Sequence, residues 1–182
     1  MHEIITIHGN AFLTSRSGAI LKYAEELIVK HGLETASITV RDLPPEDLIY
    51  SNFESPKLKE LQFLIKEAKA VIISTPVYNS SYTGALKALL DLMPQYAFAG
   101  KTILPIATGG SINHLLSIDY AMKPLFSTMG ATHILRGVYV VSSQIQFDEQ
   151  GHIQLDTEIE ERLQISIQEL INTVKQKQLV SA

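Results

Sequence analysis

The sequence predicts a doubly wound α/β fold: a five-stranded parallel sheet in the order 2-1-3-4-5, with helices on both faces. Short apolar runs rich in β-branched residues alternate with amphipathic segments of helical period through five rounds. Parallel strands need crossover helices, and these cover both faces of the sheet. The chain has 182 residues, of which 46% are hydrophobic. We therefore expect one compact domain over residues 1–182.

Each predicted element has its own signal in the sequence. Gly32 follows the first helix, Ser55 and Pro56 begin another as N-cap and first residue, and Pro76 ends the third strand. After the fifth strand, a short alternating stretch predicts a hairpin at the sheet edge, and Thr157 with Glu160 predicts a capping box for the last helix. The predicted strands are residues 3–8, 35–40, 70–73, 102–108 and 133–141, and the predicted helices are residues 17–31, 56–68, 84–93, 113–129 and 157–174.

Composition excludes several classes of function. The net charge is −4 and the basic residues are scattered, so we expect no nucleic-acid partner. No apolar run approaches the length of a bilayer span, so we expect no membrane partner and a cytoplasmic protein. The chain has no cysteine, and its histidines lack metal-ligand spacing, so we assign no metal site. Redox chemistry would therefore need a bound organic cofactor.

The loop after the first strand has the composition of a phosphate site. It runs over residues 9–17 into a helix N-terminus, where backbone N–H groups, hydroxyls and one guanidinium converge. It lacks both the lysine-bearing nucleoside-triphosphate pattern and the glycine pattern of dinucleotide sites, so a flavin monophosphate fits better. An ordinary capped helix start with a surface arginine stays open as the alternative. The candidate binding residues are Gly9, Asn10, Ser15, Arg16 and Ser17.

Two further loops follow the third and fourth strands and share an edge of the sheet with the first loop. The turn after the third strand offers N–H groups and polar side chains to the rim of a flat ring system, and two glycines in the other loop let the backbone approach a planar ligand. A half-buried turn tyrosine and a tight strand-to-helix turn are the alternatives. The candidates are Pro76, Val77, Tyr78, Asn79, Thr108, Gly109, Gly110 and Ser111.

The middle of the chain resembles a known family. Thr75, Pro76 and Tyr78, followed by Leu86 and Lys87, resemble the NADPH-dependent FMN reductases of flavodoxin-like fold. The run 107–124 is similar to the branch that supplies reduced FMN to two-component alkanesulfonate monooxygenases, and the resemblance covers about residues 4–147. It implies FMN and NADPH or NADH as cofactors, a monooxygenase that takes the reduced FMN, and a homodimer or homotetramer.

The same resemblance assigns roles to individual residues. It places the flavin phosphate on Ser15, Arg16 and Ser17 and the isoalloxazine ring on residues 76–79. The first loop departs from the family pattern, because Asn10 replaces a serine and Phe12 stands where the family has an arginine. Asn10 is therefore carried over only as a candidate.

Tyr120 and His114 lie beside the third loop. In the resembled branch, a tyrosine at the place of Tyr120 is an inserted residue that forms a π-bulge at a subunit interface near the flavin, which implies a gating role. The alternative is an ordinary amphipathic helix with a rim tyrosine. His114 faces either the nicotinamide or solvent. We expect no catalytic acid or base, because hydride transfer between two cofactors depends on stacking geometry.

Two rival functions remain open for this sequence. One is an FMN-containing NAD(P)H reductase of quinones, azo dyes or chromate, which keeps its flavin tightly bound. The other is a flavodoxin-like electron carrier that does not oxidise NADPH. The small net charge of −4 and the absence of tryptophan favour the FMN reductase over the carrier.

Overall fold

A computed structural model describes residues 2–181 of the chain, and the side chains of residues 2–177. Its main sheet is parallel, and the strands follow the order 2-1-3-4-5, with a sixth short strand also paired to the fourth. The predicted fold class and strand order are therefore confirmed. The strands of this sheet are β1 (Ile4–His8), β2 (Thr35–Thr39), β3 (Ala70–Pro76), β4 (Thr102–Gly109), β5 (His133–Ile134) and β6 (Val138–Val141).

Helices cover both faces of the sheet, and alternate strand residues face each layer. Ile4, Ile72 and Leu104 pack with the first and the last helix of the chain, whereas Ile5 and Ile73 pack with the others. One short helix, over residues 45–49, falls in a connection where the sequence predicted none. The helices are α1 (Arg16–Lys30), α2 (Pro45–Ile49), α3 (Pro56–Glu67), α4 (Gly84–Asp91), α5 (Lys123–Thr128) and α6 (Thr157–Ser181).

The predicted fifth strand is broken in two. β5 pairs with the start of β4 and β6 with its end, and the gap between them lies beside Pro105. Proline has no N–H to donate to a neighbouring strand, so the ladder is interrupted there. Gly137 fills the gap at φ +88°, and a Cβ on it would come within 2.9 Å of Pro105. Two short strands thus occupy the position predicted for one.

The C-terminal prediction needs two corrections. β7 (Ile145–Phe147) and β8 (Ile153–Leu155) form a two-stranded antiparallel sheet of their own and do not extend the main sheet. The capping box of Thr157 with Glu160 is also wrong, because the Asp156 carbonyl accepts the N–H groups of Ile159 and Glu160. The Glu160 carboxylate instead accepts the hydroxyl of Tyr23.

The predicted helix over residues 113–129 is also broken. It begins as a 3-10 turn (Ile112–His114), continues as a π-helical segment (Ile118–Met122) and only then becomes α5. The Lys123 N–H donates to the Ile118 carbonyl, five residues back, which is the π-helical bond. Tyr120 therefore lies in a π-helical segment, as the resemblance implied. Among the residues that the structure describes, no helix is long and apolar enough to cross a bilayer.

Candidate functional site

A cavity of about 270 Å³ opens at the carboxyl edge of the sheet, where the loops after β1, β3 and β4 meet. Among the described residues that line it, Arg16 is the one charged residue and none carries a carboxylate. The cavity is therefore suited to an anionic group. Its lining residues are Asn10, Phe12, Ser15, Arg16, Ser17, Pro76, Val77, Tyr78, Thr108, Gly109, Gly110 and Ser142.

The first wall of the cavity is the start of α1. Ser15 is the N-cap, in extended backbone conformation, and its Oγ accepts the Gly18 N–H at 3.1 Å. The next residues, Arg16 and Ser17, are the first of the helix, where backbone N–H groups have no intrahelical acceptor. Asn10 is buried, and its Oδ1 accepts the Phe12 N–H at 3.1 Å, which turns the loop toward the helix. Helix N–H groups, hydroxyls and a guanidinium thus face one space.

A histidine that the sequence did not single out supports this wall from behind. His8 ends β1, and its Nε2 lies 3.0 Å from Ser15 Oγ and 3.3 Å from Ser17 Oγ. Burial lowers the pKa of His8, because the charged imidazolium loses its solvation. A Cβ on Gly18 would come within 2.9 Å of the imidazole ring, so the glycine admits the histidine. The only sequence signal was the polar residue at the end of an apolar strand.

The second wall is a tight turn after β3. Tyr78 and Ser81 exchange both backbone hydrogen bonds, at 2.8 and 3.1 Å, around Asn79 and Ser80. Asn79 and Ser80 have φ values of 47° and 65°, which is the left-handed pair of a type I′ turn. The Val77 N–H donates to the Thr108 carbonyl at 2.7 Å and so joins this wall to the next. Asn79 lies at the tip of the turn and does not line the cavity.

The third wall follows β4, and its two glycines differ. A Cβ on Gly109 would lie 2.1 Å from the Tyr139 hydroxyl, whereas one on Gly110 would meet nothing within 4 Å. The Tyr139 hydroxyl donates to the Ser111 carbonyl at 2.6 Å, and burial raises its pKa. Gly109 therefore makes room for a tyrosine of the chain itself, and only Gly110 leaves open space beside the cavity. Ser142, also missed from the sequence, donates to the Gly109 carbonyl at 3.1 Å.

The π-helical segment contacts the second wall. The Tyr120 hydroxyl donates to the Ser80 carbonyl, across from the tip of the turn. Ser117, just before the segment, is buried, and its hydroxyl has no hydrogen-bond partner among the described residues. His114 lies in the 3-10 turn and does not line the cavity.

The structure brings most of the predicted site residues together. Ten of them line the cavity, while Asn79 and Ser111 lie beside it. Gly9 is a packing residue here, because a Cβ on it would come within 2.9 Å of Leu86. Phe12 and Ser142 line the cavity although the sequence did not place them in it. Across the described residues, no group of three or more potential ligands could hold a metal ion.

This geometry suits a phosphate joined to a flat ring, and comparisons with known proteins agree. The family model described as NADPH-dependent FMN reductase matches residues 2–146. The chain belongs to this family. An FMN reductase (NADPH) of Pseudomonas putida is 43% identical, over 91% of this chain and 84% of that protein. Another FMN reductase (NADPH), from Escherichia coli, is 42% identical, over 87% of this chain and 86% of that protein.

A solved structure has the same architecture. The apo form of an NADH:FMN oxidoreductase matches 93% of this chain and 88% of that one, with a TM-score of 0.83 and 33% identity. The family resemblance and its flavin and nicotinamide cofactors, predicted from the sequence, are thus confirmed. The roles of the individual site residues stay predictions.

Proposed function

We propose that this protein reduces FMN with NADPH or NADH and releases the reduced flavin. The cavity at the carboxyl edge carries this proposal, because the start of α1 and Arg16 face a tyrosine-bearing turn and an open glycine across one space. When bound, FMN supplies the hydride acceptor and the nicotinamide dinucleotide supplies the hydride. The chain's own task is to bind and orient these groups.

One group of residues offers charge and hydrogen bonds for the phosphate, and another offers a surface that fits the ring. Ser15 and Ser17 offer hydroxyls, the first turn of α1 offers N–H groups, and Arg16 offers a guanidinium, all of which suit a phosphate. Pro76, Val77 and Tyr78 line the opposite wall and suit the ring. Gly110 leaves its backbone accessible there, since nothing lies within 4 Å of a Cβ built on it. Asn79 and Ser111 would act by holding these loops.

We extend the proposal to assembly and partners. Ile112, Leu115, Leu116 and Tyr120 are exposed beside the π-helical segment, and such a cluster favours a subunit contact in a homodimer or homotetramer. Tyr120 would then gate the flavin by linking that contact to the Ser80 carbonyl. A monooxygenase that consumes reduced FMN is the proposed recipient. We propose the cytoplasm as the place of action, because NAD(P)H is an intracellular reductant, and residues 1–182 as one domain.

Measuring NADPH oxidation with added flavin tests the function. Purified protein should be nearly colourless and should oxidise NADPH only when a flavin is added, with FMN saturating at lower concentration than riboflavin, which has no phosphate. Equal half-saturation for the two flavins would remove the phosphate site from the proposal. A yellow protein that turns over a quinone or an azo dye without added FMN would favour the rival reductase.

A further inference from the structure

The residue behind this inference is His8, which the proposed function does not use. It is 9% exposed, and its Nε2 contacts the Oγ atoms of both Ser15 and Ser17, at 3.0 and 3.3 Å. The two hydroxyls are themselves 3.2 Å apart. One ring nitrogen thus touches both serines that the proposed function assigns to the phosphate, and the inference rests on that function.

A second cavity gives the imidazole a route to solvent. It measures about 520 Å³, lies between the first loop and the C-terminal hairpin, and is lined by His8 and Ser15 among others. The charged groups that line the two cavities all come from α1: Arg16, Lys22 and Glu25. Besides His8, Tyr78 is the other titratable group among the described lining residues, and the remaining strand and hairpin residues of the walls carry none.

The hydrogen-bond pattern makes the protonation state of His8 matter. Ser15 Oγ already accepts the Gly18 N–H at 3.1 Å. An imidazole without a proton on Nε2 accepts a serine proton and holds it away from the cavity. An imidazolium, like a neutral ring protonated on Nε2, donates from Nε2 instead, so the serine hydroxyl donates elsewhere, to the other serine or into the cavity that both serines line. A phosphate there would accept that hydrogen bond and would also stabilise the positive ring.

We propose that His8 is a positioning residue that takes up a proton from solvent when FMN binds and then directs the Ser15 and Ser17 hydroxyls toward the phosphate. The direction of the pH effect on FMN affinity follows from the linkage between proton binding and FMN binding. Burial lowers the pKa of His8 in the flavin-free protein, so the ring is neutral near pH 7. A phosphate dianion raises that pKa, so FMN binds more tightly at low pH, and the advantage is lost as the pH rises through the pKa of the complex. Each unit of pKa rise corresponds to about a tenfold change in affinity.

Calorimetric titration in two buffers of different protonation enthalpy measures this proton directly. Between about pH 6.5 and 8, the wild-type protein should take up more protons on binding FMN than the His8→Gln variant does. The phosphate monoester itself titrates near pH 6, and it contributes equally to both proteins, so the difference isolates His8. Riboflavin should bind with no such difference. The His31→Gln variant, at the other end of α1, should behave as wild type.

Equal proton uptake by wild type and His8→Gln would overturn the inference, as would the same uptake with riboflavin. If His8→Gln does not fold, an NMR titration of the wild-type imidazole decides the matter, because its pKa should rise with FMN and stay unchanged with riboflavin. Binding of FMN without a rise refutes only the role of His8. A protein that binds neither flavin and oxidises no NADPH refutes the proposed function itself.

Discussion

The two edges of the parallel sheet differ in what faces the backbone groups there: lysine side chains at the amino edge and an open cavity at the carboxyl edge. At the amino edge, Lys101 Nζ donates to the carbonyls of Lys66 and Ala68 at 2.9 and 2.8 Å, at the C-terminal end of α3. Lys177 Nζ donates to the Gly100 carbonyl at 2.9 Å. At the carboxyl edge, the N-terminus of α1 and Arg16 face a cavity whose described lining residues include no carboxylate.

The difference separates a structural edge from a binding edge. Carbonyls at a helix C-terminus carry partial negative charge, and at the end of α3 the ammonium group of Lys101 neutralises it, while Lys177 donates to a loop carbonyl beside it. Burial lowers the pKa of both lysines, and the nearby charge of Lys177 lowers that of Lys101 further. At the carboxyl edge, the partial positive charge of α1 and the guanidinium meet no acidic side chain in the cavity, so a ligand must bring the negative charge.

Removing the guanidinium at the binding edge should cause the largest change in free energy, and the change should fall on FMN binding. We expect Arg16→Ala to weaken FMN binding by about 1.5–3 kcal/mol, the range for hydrogen bonds to a charged group. Riboflavin affinity and the free energy of unfolding should change little, because Arg16 is exposed and joins no ion pair found among the described residues. Fluorescence titration with both flavins measures this. An equal loss for the two flavins would mean that the change acts on the helix start.

The sequence predicted only one side of this contrast. The binding site at the carboxyl edge was predicted because loops after parallel strands converge there, and because glycine, serine and arginine in such a loop indicate a binding role without knowledge of distant contacts. The lysine contacts at the amino edge were not, because Lys101 and Lys177 are far apart in the chain and each side chain reaches carbonyls on other elements. Nothing in the local pattern distinguishes such a lysine from an exposed one.

The site residues that the sequence did not predict were missed for the same reason, namely that their partners are distant in the chain. His8 and Ser142 belong to the site through distant partners, namely the serines of α1 and the Gly109 carbonyl. Gly109 was predicted to admit a ligand, but its small size accommodates Tyr139, thirty residues later in the chain. Apolar periodicity predicted the helix beyond residue 113 but could not show its break, because a π-helical turn changes register without changing composition.

The paired glycines of the third wall offer the next test. Gly109→Ala should lower the free energy of unfolding by about 1–3 kcal/mol, because its Cβ would overlap the Tyr139 hydroxyl and force a shift. Gly110→Ala is the matched control, since a Cβ there meets nothing within 4 Å. It should unfold as wild type does, so any loss of FMN affinity reports on the ligand alone. Urea unfolding followed by flavin titration separates the two effects, and equal stability of both variants would contradict the overlap.

A change at the amino edge should lower stability and leave FMN binding unchanged. Lys101→Met removes the donor to two carbonyls, so we expect a loss of about 1–3 kcal/mol in the free energy of unfolding. The dissociation constant of FMN should stay the same, because the lysine lies at the far end of the sheet from the cavity. Urea unfolding and flavin titration of one preparation measure both quantities. Weaker FMN binding with unchanged stability would break the division between the two edges.

Deleting Tyr120 should cost less stability than Gly109→Ala or Lys101→Met. The Lys123 N–H bonds five residues back, to Ile118, so removing one residue between them converts a π-helical turn into an α-helical one. The deletion should therefore cost only about 0.5–1.5 kcal/mol, the worth of the lost hydrogen bond to Ser80.

Deleting Phe63 is the control for that change. Phe63 is also an exposed aromatic residue, but it lies within the regular helix α3, two residues before the buried Ile65. Its removal turns every later residue of the helix by about 100° and takes Ile65 out of the core, so the protein should unfold at much lower urea concentration. Far-ultraviolet circular dichroism and urea unfolding compare the two deletions. Equal destabilisation would show that the buried Ile118 and Met122 need the π-helical register, so that Tyr120 is not an inserted residue that the helix can lose.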